Sequence, residues 1–393
     1  MRIVVGLSGG VDSSVAAALL LEQGHDVIGL YMRNWHDDSI TLDNACPWID
    51  DAQDAMLVAE HLGIPFQVLD LSEAYKARIV DYMMTEYAAG RTPNPDVLCN
   101  REIKFDLFVD AARDLGAEAV ATGHYCRREA IETDSGWVYR LLAGADDNKD
   151  QSYFLCQVRP EQLAFARFPL GAMRKDEVRA KARSLRLPTA EKKDSQGLCF
   201  VGKIRLPDFL QQSIAPRTGD IVEIPANHPK LIQRARDVET DPWFDVHPLR
   251  WDQEDGTVVG PHPGAQFFTI GQRKGLMVGG KAWPLFVLSK DVVHNILYVG
   301  MGASHPGLMR RALRVASEDV HWVQPGARLA PGETARHHRI RFRYRQPLQT
   351  GILNQREDGL YILFDAPQSG IAAGQFVAWY DGEELVGSGC IAD

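Results

Sequence analysis

The sequence predicts an α/β protein: a doubly wound parallel sheet first, then a small mixed central domain, then a C-terminal all-β, barrel-like domain. Three observations carry this. The first two hundred residues alternate short apolar runs with helical periodicity. The section from Pro207 to about Pro263 loses that rhythm. After about Met309 the chain reads as short strands with polar turns. Strands separated by helical segments imply parallel pairing with crossover helices, and closely spaced short strands imply a barrel or sandwich. A chain of 393 residues is too long for one typical core. The divisions are expected at 1–205, 206–308 and 309–393.

In order, Ile3–Leu7 is a buried strand, Val15–Glu22 is helical, and Asp26–Tyr31 is a second strand. Asp51–Leu62 carries apolar residues at helical spacing and stops at Gly63. Phe66–Leu69 is a strand, Ala74–Tyr87 a helix, Phe105–Leu115 a helix ended by Gly116, and Ala119–Thr122 a strand. The unit runs to about Thr189. Ala226–Asp255, with several Pro and Trp residues, is expected to be an irregular insertion. Short strands follow at Phe267–Ile270, Phe286–Lys290 and Ile296–Val299. Then come Leu313–Ala316, Arg339–Tyr344, Gln349–Leu353, Leu360–Phe364, Phe376–Tyr380 and Glu384–Ile391.

The bulk numbers exclude some classes. Hydrophobic content of 45% with 24% charged residues describes an ordinary globular chain. No run reaches the roughly 18 apolar residues of a membrane span, and the short apolar N-terminus turns directly into a glycine loop. The expectation is a cytoplasmic protein with no membrane partner. Six cysteines, at 46, 99, 126, 156, 199 and 390, form no CxxC pair, which argues against a zinc ribbon or disulfide scaffold. A net charge of −9 argues against nucleic-acid binding if taken as an average, so its distribution matters.

The strongest local signal is Gly6-Leu7-Ser8-Gly9-Gly10-Val11-Asp12-Ser13-Ser14. A buried strand leads into Ser-Gly-Gly, then a residue able to cap a helix (Asp12 or Ser13), then an alanine-rich helix. Glycines let the backbone approach an anion closely, and the helix N-terminus adds free N–H groups and partial positive charge. The Gly-Lys-Ser/Thr end of a Walker A loop is missing. The loop resembles the SGGxDS loop of ATP pyrophosphatases, which split ATP between the α and β phosphates. That resemblance implies ATP as co-substrate. The alternative is a glycine turn that only packs a helix on a sheet.

Two cysteines sit in distinctive surroundings. Thr92-Pro93-Asn94-Pro95-Asp96-Val97-Leu98-Cys99-Asn100 is a proline-stiffened turn before a helix. Asp96 lies three residues before Cys99, and a helix N-terminus with Lys104 nearby is expected to lower the Cys99 thiol pKa. Cys199 lies in Asp194-Ser195-Gln196-Gly197-Leu198-Cys199-Phe200, a glycine-flanked segment after Lys192-Lys193. Either could instead be a buried core cysteine.

The set SGGVDSSV at 8–15, NPDVLCN at 94–100, GHY at 123–125, DQSYFL at 150–155, KKDSQGLCFVG at 192–202 and FTIGQRKGL at 268–276 is similar to that of the tRNA-specific 2-thiouridylases. The likeness runs through nearly the whole chain in order. It implies adenylation of the C2 oxygen of a uridine in tRNA and its replacement by sulfur. Cys199 would carry a persulfide, Cys99 would be the nucleophile that leaves a Cys99–Cys199 disulfide, and Asp96 would serve as acid/base. ATP would meet Gly6 to Ser13, Met32 and Gly123. The RNA would meet Asn94, Pro95, Asp96, His124, Lys149, Asp150, Gln151, Arg343, Tyr344 and Gln375. A sulfur-donor protein relay is implied, and Mg²⁺ is expected beside the phosphates, with no ligands assigned from sequence. The oligomeric state is not legible.

Arg339, Arg341, Arg343 and Arg345 would share one strand face, a basic row suited to phosphates despite the acidic average. The sequence departs from the family pattern at Asn44–Ile49, where Cys46 is assigned no role, and at Ala226–Asp255, read as a tolerated insertion with a partner-docking or tRNA-contacting elaboration as the alternative. The competing reading is another ATP-pyrophosphatase-type synthetase that adenylates a small molecule. It lacks any evident ammonia source, and it leaves the β-rich C-terminus idle. A tRNA-binding protein with a vestigial site is the third reading, and the intact loop beside two cysteines speaks against it.

Overall fold

The computed structural model describes residues 1–34, 47–134, 136–193 and 206–393. In chain order the first strands are β1 (Arg2–Gly6), β2 (Asp26–Arg33), β3 (Phe66–Asp70), β4 (Ala119–Ala121), β5 (Cys126–Thr133), β6 (Gly136–Ala143) and β7 (Ala166–Arg167). Five of them form a parallel sheet in the order β3-β2-β1-β4-β7. The chain winds outward from β1 to β3 and then returns to the other side of β1. The switch point therefore lies between β1 and β4, where doubly wound sheets place their ligand crevice. Ile3, Val4 and Val5 are all buried because helices cover both faces. The helix α1 (Val11–Glu22) packs Ala17 and Leu20 against Ile3 and Val5.

A four-stranded sheet follows. It is built from β8 (Gly219–Glu223), β9 (Thr257–His262), β10 (Leu285–Asp291) and β11 (Ile296–Met301), in the order β10-β11-β8-β9. The expected strand at Phe267–Ile270 is absent. Ala265–Phe267 is a short 3₁₀ turn, and Gly264 at φ +151 sets its entry.

The C-terminal sheet contains β12 (Met309–Ala316), β13 (His321–Trp322), β14 (Thr334–Arg341), β15 (Gln349–Arg356), β16 (Gly359–Ser369), β17 (Phe376–Asp381) and β18 (Glu384–Cys390). It also recruits β5 and β6 from the first two hundred residues, which sequence reading had not assigned to it. Glu384 pairs with Leu142 in the ladder, and Arg140 and Arg127 form ion pairs with Glu384 and Glu383. The hairpin covers part of the open edge of β18.

The segment Ala226–Asp255 is not irregular. It holds a 12-residue helix, Pro229–Thr240, with proline in its first turn and His228 Nδ1 accepting from Lys230 N at 3.2 Å. Leu231 and Arg234 are its buried positions, a narrow stripe within a polar sequence. Arg234 pairs with the buried Asp245, and Arg310 of β12 donates to the carbonyls of Asp245 and Val246. The insertion therefore ties the central sheet to the barrel.

Candidate active site

The glycine loop lies at the carboxyl end of β1, beside the β4 crevice. Leu7 N donates to Leu30 O at 3.0 Å, which holds the loop's entry against β2. Gly9 has φ +71, and a Cβ there would stand 2.2 Å from Asp51 O, so only glycine fits. The cap of α1 is Gly10, with no side-chain cap bond. This corrects the expectation that Asp12 or Ser13 caps the helix: both lie within its first turn. Ser13 Oγ instead accepts from Ser8 N at 3.1 Å, and Ser14 Oγ donates to Gly10 O at 2.8 Å. The N–H groups of the first turn are left for a ligand or solvent.

Asp12 faces two partners that sequence reading did not single out. Lys175 Nζ reaches its carboxylate oxygens at 2.7 and 2.9 Å, and Tyr125 Oη donates at 2.7 Å. Lys175 starts the helix Lys175–Ser184, and its backbone N–H binds Asp146 Oδ2. Nothing in a run of mixed charges marks Lys175, whereas Tyr125 stands within the GHY motif.

The loop after β4 closes on the same place. A Cβ on Gly123 would lie 2.8 Å from Asp12 C and Ser13 N, so Gly123 backbone sits directly against the start of α1. Met32, buried, has its Cε 3.5 Å from the position a Gly6 Cβ would take. His124 is buried, with Nδ1 2.7 Å from Thr122 Oγ1 and its ring between Phe105 and Phe168. Burial, and then the charge of Lys104, hold its pKa well below the usual histidine value, so it is neutral.

Asn94 caps the helix Pro95–Cys99 by accepting from Val97 N at 3.3 Å, and Pro95 occupies its first turn. The helical path then continues through Asn100–Leu107 and Phe108–Asp114. Asp96 is half-exposed. Cys99 is completely buried, in one apolar cluster with Met32, Phe105 and Phe108. The expected low thiol pKa is wrong for this state. Burial pushes it up to about 12, Asp96 adds to the rise, and Lys104 opposes it without prevailing. Cys199 and Cys46 lie outside the described residues.

The row of arginines also needs correction. β14 ends at Arg341, so only Arg339 and Arg341 are in a strand. Arg341 is buried and pairs with Asp150 at 3.1 Å. Arg339 and Arg345 are exposed, and Arg343 donates to the carbonyls of Ile270 and Gly370. A bulge between Ala335 and His338, with His337 at φ +65, lies just before this run. Asp150 is likewise buried, accepting from Gly144 N and Ser152 N through Oδ1. Gln151 Oε1 accepts from Tyr125 N, and Lys149 is half-exposed. Tyr344 stacks on Phe154 at 4.4 Å. Gln375 Nε2 donates to Thr92 O at 2.8 Å and Pro93 O at 3.3 Å, just before Asn94. Arg343 and Gln375 line a cavity of about 280 Å³ with Thr269, Gly271, Gln272 and Ala372. The barrel's expected contacts thus stand beside the Cys99 turn.

Among the described residues no three His, Cys, Asp or Glu side chains stand together as a metal cage, and no helix is long and apolar enough to cross a membrane.

Comparison with known proteins matches three family models along the chain. They are the tRNA methyl transferase HUP domain at 1–203, the tRNA methyl transferase PRC-barrel domain at 251–301, and the aminomethyltransferase beta-barrel domain at 311–391. The chain is similar to proteins named tRNA-specific 2-thiouridylase MnmA. One from Flavobacterium johnsoniae is 58% identical and one from Christiangramia forsetii 56%, each over 100% of both chains. One from Karelsulcia muelleri is 42% identical over 100% of this chain and 98% of its own. With identity this high over its full length, the chain belongs to the tRNA-specific 2-thiouridylase family.

Proposed function

We propose that this protein adenylates the C2 oxygen of the wobble uridine in tRNA with ATP and then exchanges that oxygen for sulfur. The observation that carries the reading is the meeting of the glycine loop and the Gly123–His124 turn at the carboxyl ends of β1 and β4, with the helical path that continues from Cys99 packing its Phe105 on His124 at 6.2 Å. The relatives' activity, tRNA-specific 2-thiouridylation, adds the acceptor and the reaction.

The first turn of α1 with Ser8 and Ser13 is placed to receive phosphates, and Gly123 backbone and Met32 flank the nucleotide. The C2 oxygen attacks the α phosphate, and pyrophosphate leaves. The terminal sulfur of a Cys199 persulfide then attacks C2, and AMP leaves with the oxygen. The Cys99 thiolate attacks Cys199 Sγ and breaks its bond to the transferred sulfur. A Cys99–Cys199 disulfide remains, and two electrons from an external thiol reduce it. Asp96, three residues from Cys99, moves the proton. Cys99 must lose its burial before it can act, so sulfur transfer follows a rearrangement of its surroundings. Asn94, Pro95, His124, Lys149–Gln151, Arg343, Tyr344 and Gln375 would form the RNA side of the crevice, although His124 and Asp150 need an opening to be touched. ATP brings Mg²⁺, held mainly by phosphate oxygens and water; the chain's own described carboxylates build no cage for it. The sulfur reaches Cys199 from a donor protein.

The test combines purified protein, ATP, Mg²⁺, a sulfide source and unmodified tRNA, with nucleoside mass spectrometry for 2-thiouridine. Product should form and Cys199→Ser should end transfer from a persulfidic donor protein. Adenylation of a small carboxylate with no 2-thiouridine would establish the competing synthetase reading.

A further inference from the structure

A second cavity, of about 320 Å³, opens on the α1 side of the parallel sheet, lined by Leu20, Gln23, His25, Arg128, Arg167 and Phe168 among others. Gln23 and His25 lie where α1 ends and β2 begins. The glycine loop lies at the other end of α1, so a helix of 12 residues, about 18 Å long, separates the two places.

Two guanidinium groups converge in this cavity. Arg128 Nη1 donates to Ala164 O at 2.7 Å, and Arg167 Nη1 donates to the same oxygen at 3.1 Å and to Ala166 O at 2.8 Å. One carbonyl oxygen therefore holds both cations within each other's field. Arg128 also lies over the Tyr139 ring at 4.6 Å, which fixes its plane. Among the described residues neither guanidinium has a carboxylate partner. This sets them apart from Arg127 and Arg140 on the same hairpin, which pair with Glu383, Glu129 and Glu384.

Arginine does not relieve such repulsion by losing its proton in the physiological range. Burial, and then the nearby Arg167, bring the Arg128 pKa down to about 10, still far above neutrality, and burial lowers that of Arg167. Each fork has five N–H donors, and a single nitrogen of each is committed to carbonyls. A pair of half-buried forks with spare donors and no counter-ion matches the tetrahedral oxygens of a phosphate.

We propose that Arg128 and Arg167 are the two arms of a phosphate-binding site separate from the glycine loop. Two sources supply that chemistry. One is a backbone phosphate of bound tRNA, because Phe168 of the cavity wall stands edge-on to His124 at 6.3 Å; this source alone rests on the function proposed above. The other is free phosphate or pyrophosphate.

The test compares wild type, R128Q/R167Q and R128K/R167K. The unfolding midpoint is followed against inorganic phosphate and pyrophosphate at constant ionic strength. Binding at the glycine loop is common to all three proteins and drops out of the comparison. The anion should raise the wild-type midpoint at least twice as far as that of the Gln variant, with the Lys variant between. In phosphate-free buffer, removal of the repulsion should leave the Gln variant at least as stable as wild type. A tRNA affinity series in KCl separates the sources. A salt slope smaller by about one to two in the Gln variant assigns the site to RNA. An unchanged slope with a lost anion response assigns it to the free anion. A Gln variant equal to wild type in both anion response and salt slope overturns the proposal. So does one that is less stable without phosphate and unchanged in both responses. Thiolation by wild type, assayed separately, reports on the proposed function regardless of either result.

Discussion

Removing one charge of the Asp150–Arg341 pair should destabilise the protein severely, and removing both should not. The two side chains are 3% and 10% exposed and stand 3.1 Å apart. At an effective dielectric of about 20, their attraction is ~5 kcal/mol, set against the cost of desolvating both. Among the described residues Asp150 Oδ2 meets Arg341 at ion-pair distance and accepts no hydrogen bond, while Oδ1 accepts from Gly144 N and Ser152 N. Asp150→Asn keeps those two bonds and strands the guanidinium. Arg341→Met keeps the volume and strands the carboxylate. Each should cost about 3–5 kcal/mol. At about 2–4 °C per kcal/mol for a unit of 150–250 residues, that lowers the first unfolding transition by about 6–20 °C. The double variant should recover a large part of the loss, so that in a double-mutant cycle its loss is well below the sum of the two single losses. Scanning calorimetry with denaturant titration checks it. Single variants within about 2 °C of wild type, or losses that simply add, would show that the pair is no clamp. The same reasoning changes what Arg341 means for RNA: its replacement should impair folding, independently of salt, and not only phosphate binding.

Three other outcomes follow from the site. Native Cys99 should resist iodoacetamide at pH 8 and react rapidly in denaturant, because a thiol pKa of about 12 leaves roughly one thiolate in ten thousand; rapid stoichiometric labelling of the folded protein, mapped by mass spectrometry, would contradict this. Gly9→Ala should lower ATP affinity at least about tenfold with the fold retained, since its Cβ would strike Asp51 O and the φ of +71 disfavours it; calorimetric titration that finds wild-type affinity would refute it. His124, His262, His305 and His321 are all held below the ordinary histidine pKa, with burial the largest cause in each. The unfolded chain therefore takes up protons first, near pH 6.5. Stability should be complete above that pH and fall as the pH drops through and below it. Denaturation at pH 8 and 5.5 should differ accordingly, and His321→Gln should reduce the difference.

The parallel sheet was legible because its strands are short apolar runs punctuated by Gly63, Gly116 and the Ser8–Gly10 turn, all local signals. The hairpin of β5 and β6 was not: Glu129, Ala130, Ile131 and Glu132 show little alternation, and their partner lies some 240 residues onward at Glu384. The helix Pro229–Thr240 was hidden because only Leu231 and Arg234 are buried, too sparse a stripe to register as a period. At the site, motifs revealed where Cys99 lies but not its state. Lowering its pKa required the Lys104 field to prevail, and burial, a property of tertiary packing, outweighed it. The arginine row failed for a related reason. A period of two is informative only while the strand lasts, and β14 ends at Arg341, where a buried carboxylate from another part of the chain takes the side chain inward.

The glycine loop and the barrel stand in one contiguous network. Tyr125 Oη holds Asp12 in the first turn of α1, while its backbone N–H and C=O pair with Gln151. The adjacent Asp150 holds Arg341, and Arg341 Nη1 reaches Tyr344 O at 3.4 Å. Tyr153, two residues past Gln151, donates to the carbonyls of Phe342 and Phe376. The DQSYFL segment thus joins the first turn of α1 to the turn that carries Arg343 and Tyr344. Its polar side chains bridge the loops around the glycine turn and the turn that carries Arg343 and Tyr344. Where two parts of a chain build one site, their relative position must be set in advance, because positioning is lost with displacements of about an ångström. Buried polar groups serve this purpose better than apolar ones, since each has one satisfied arrangement and a costly set of unsatisfied alternatives.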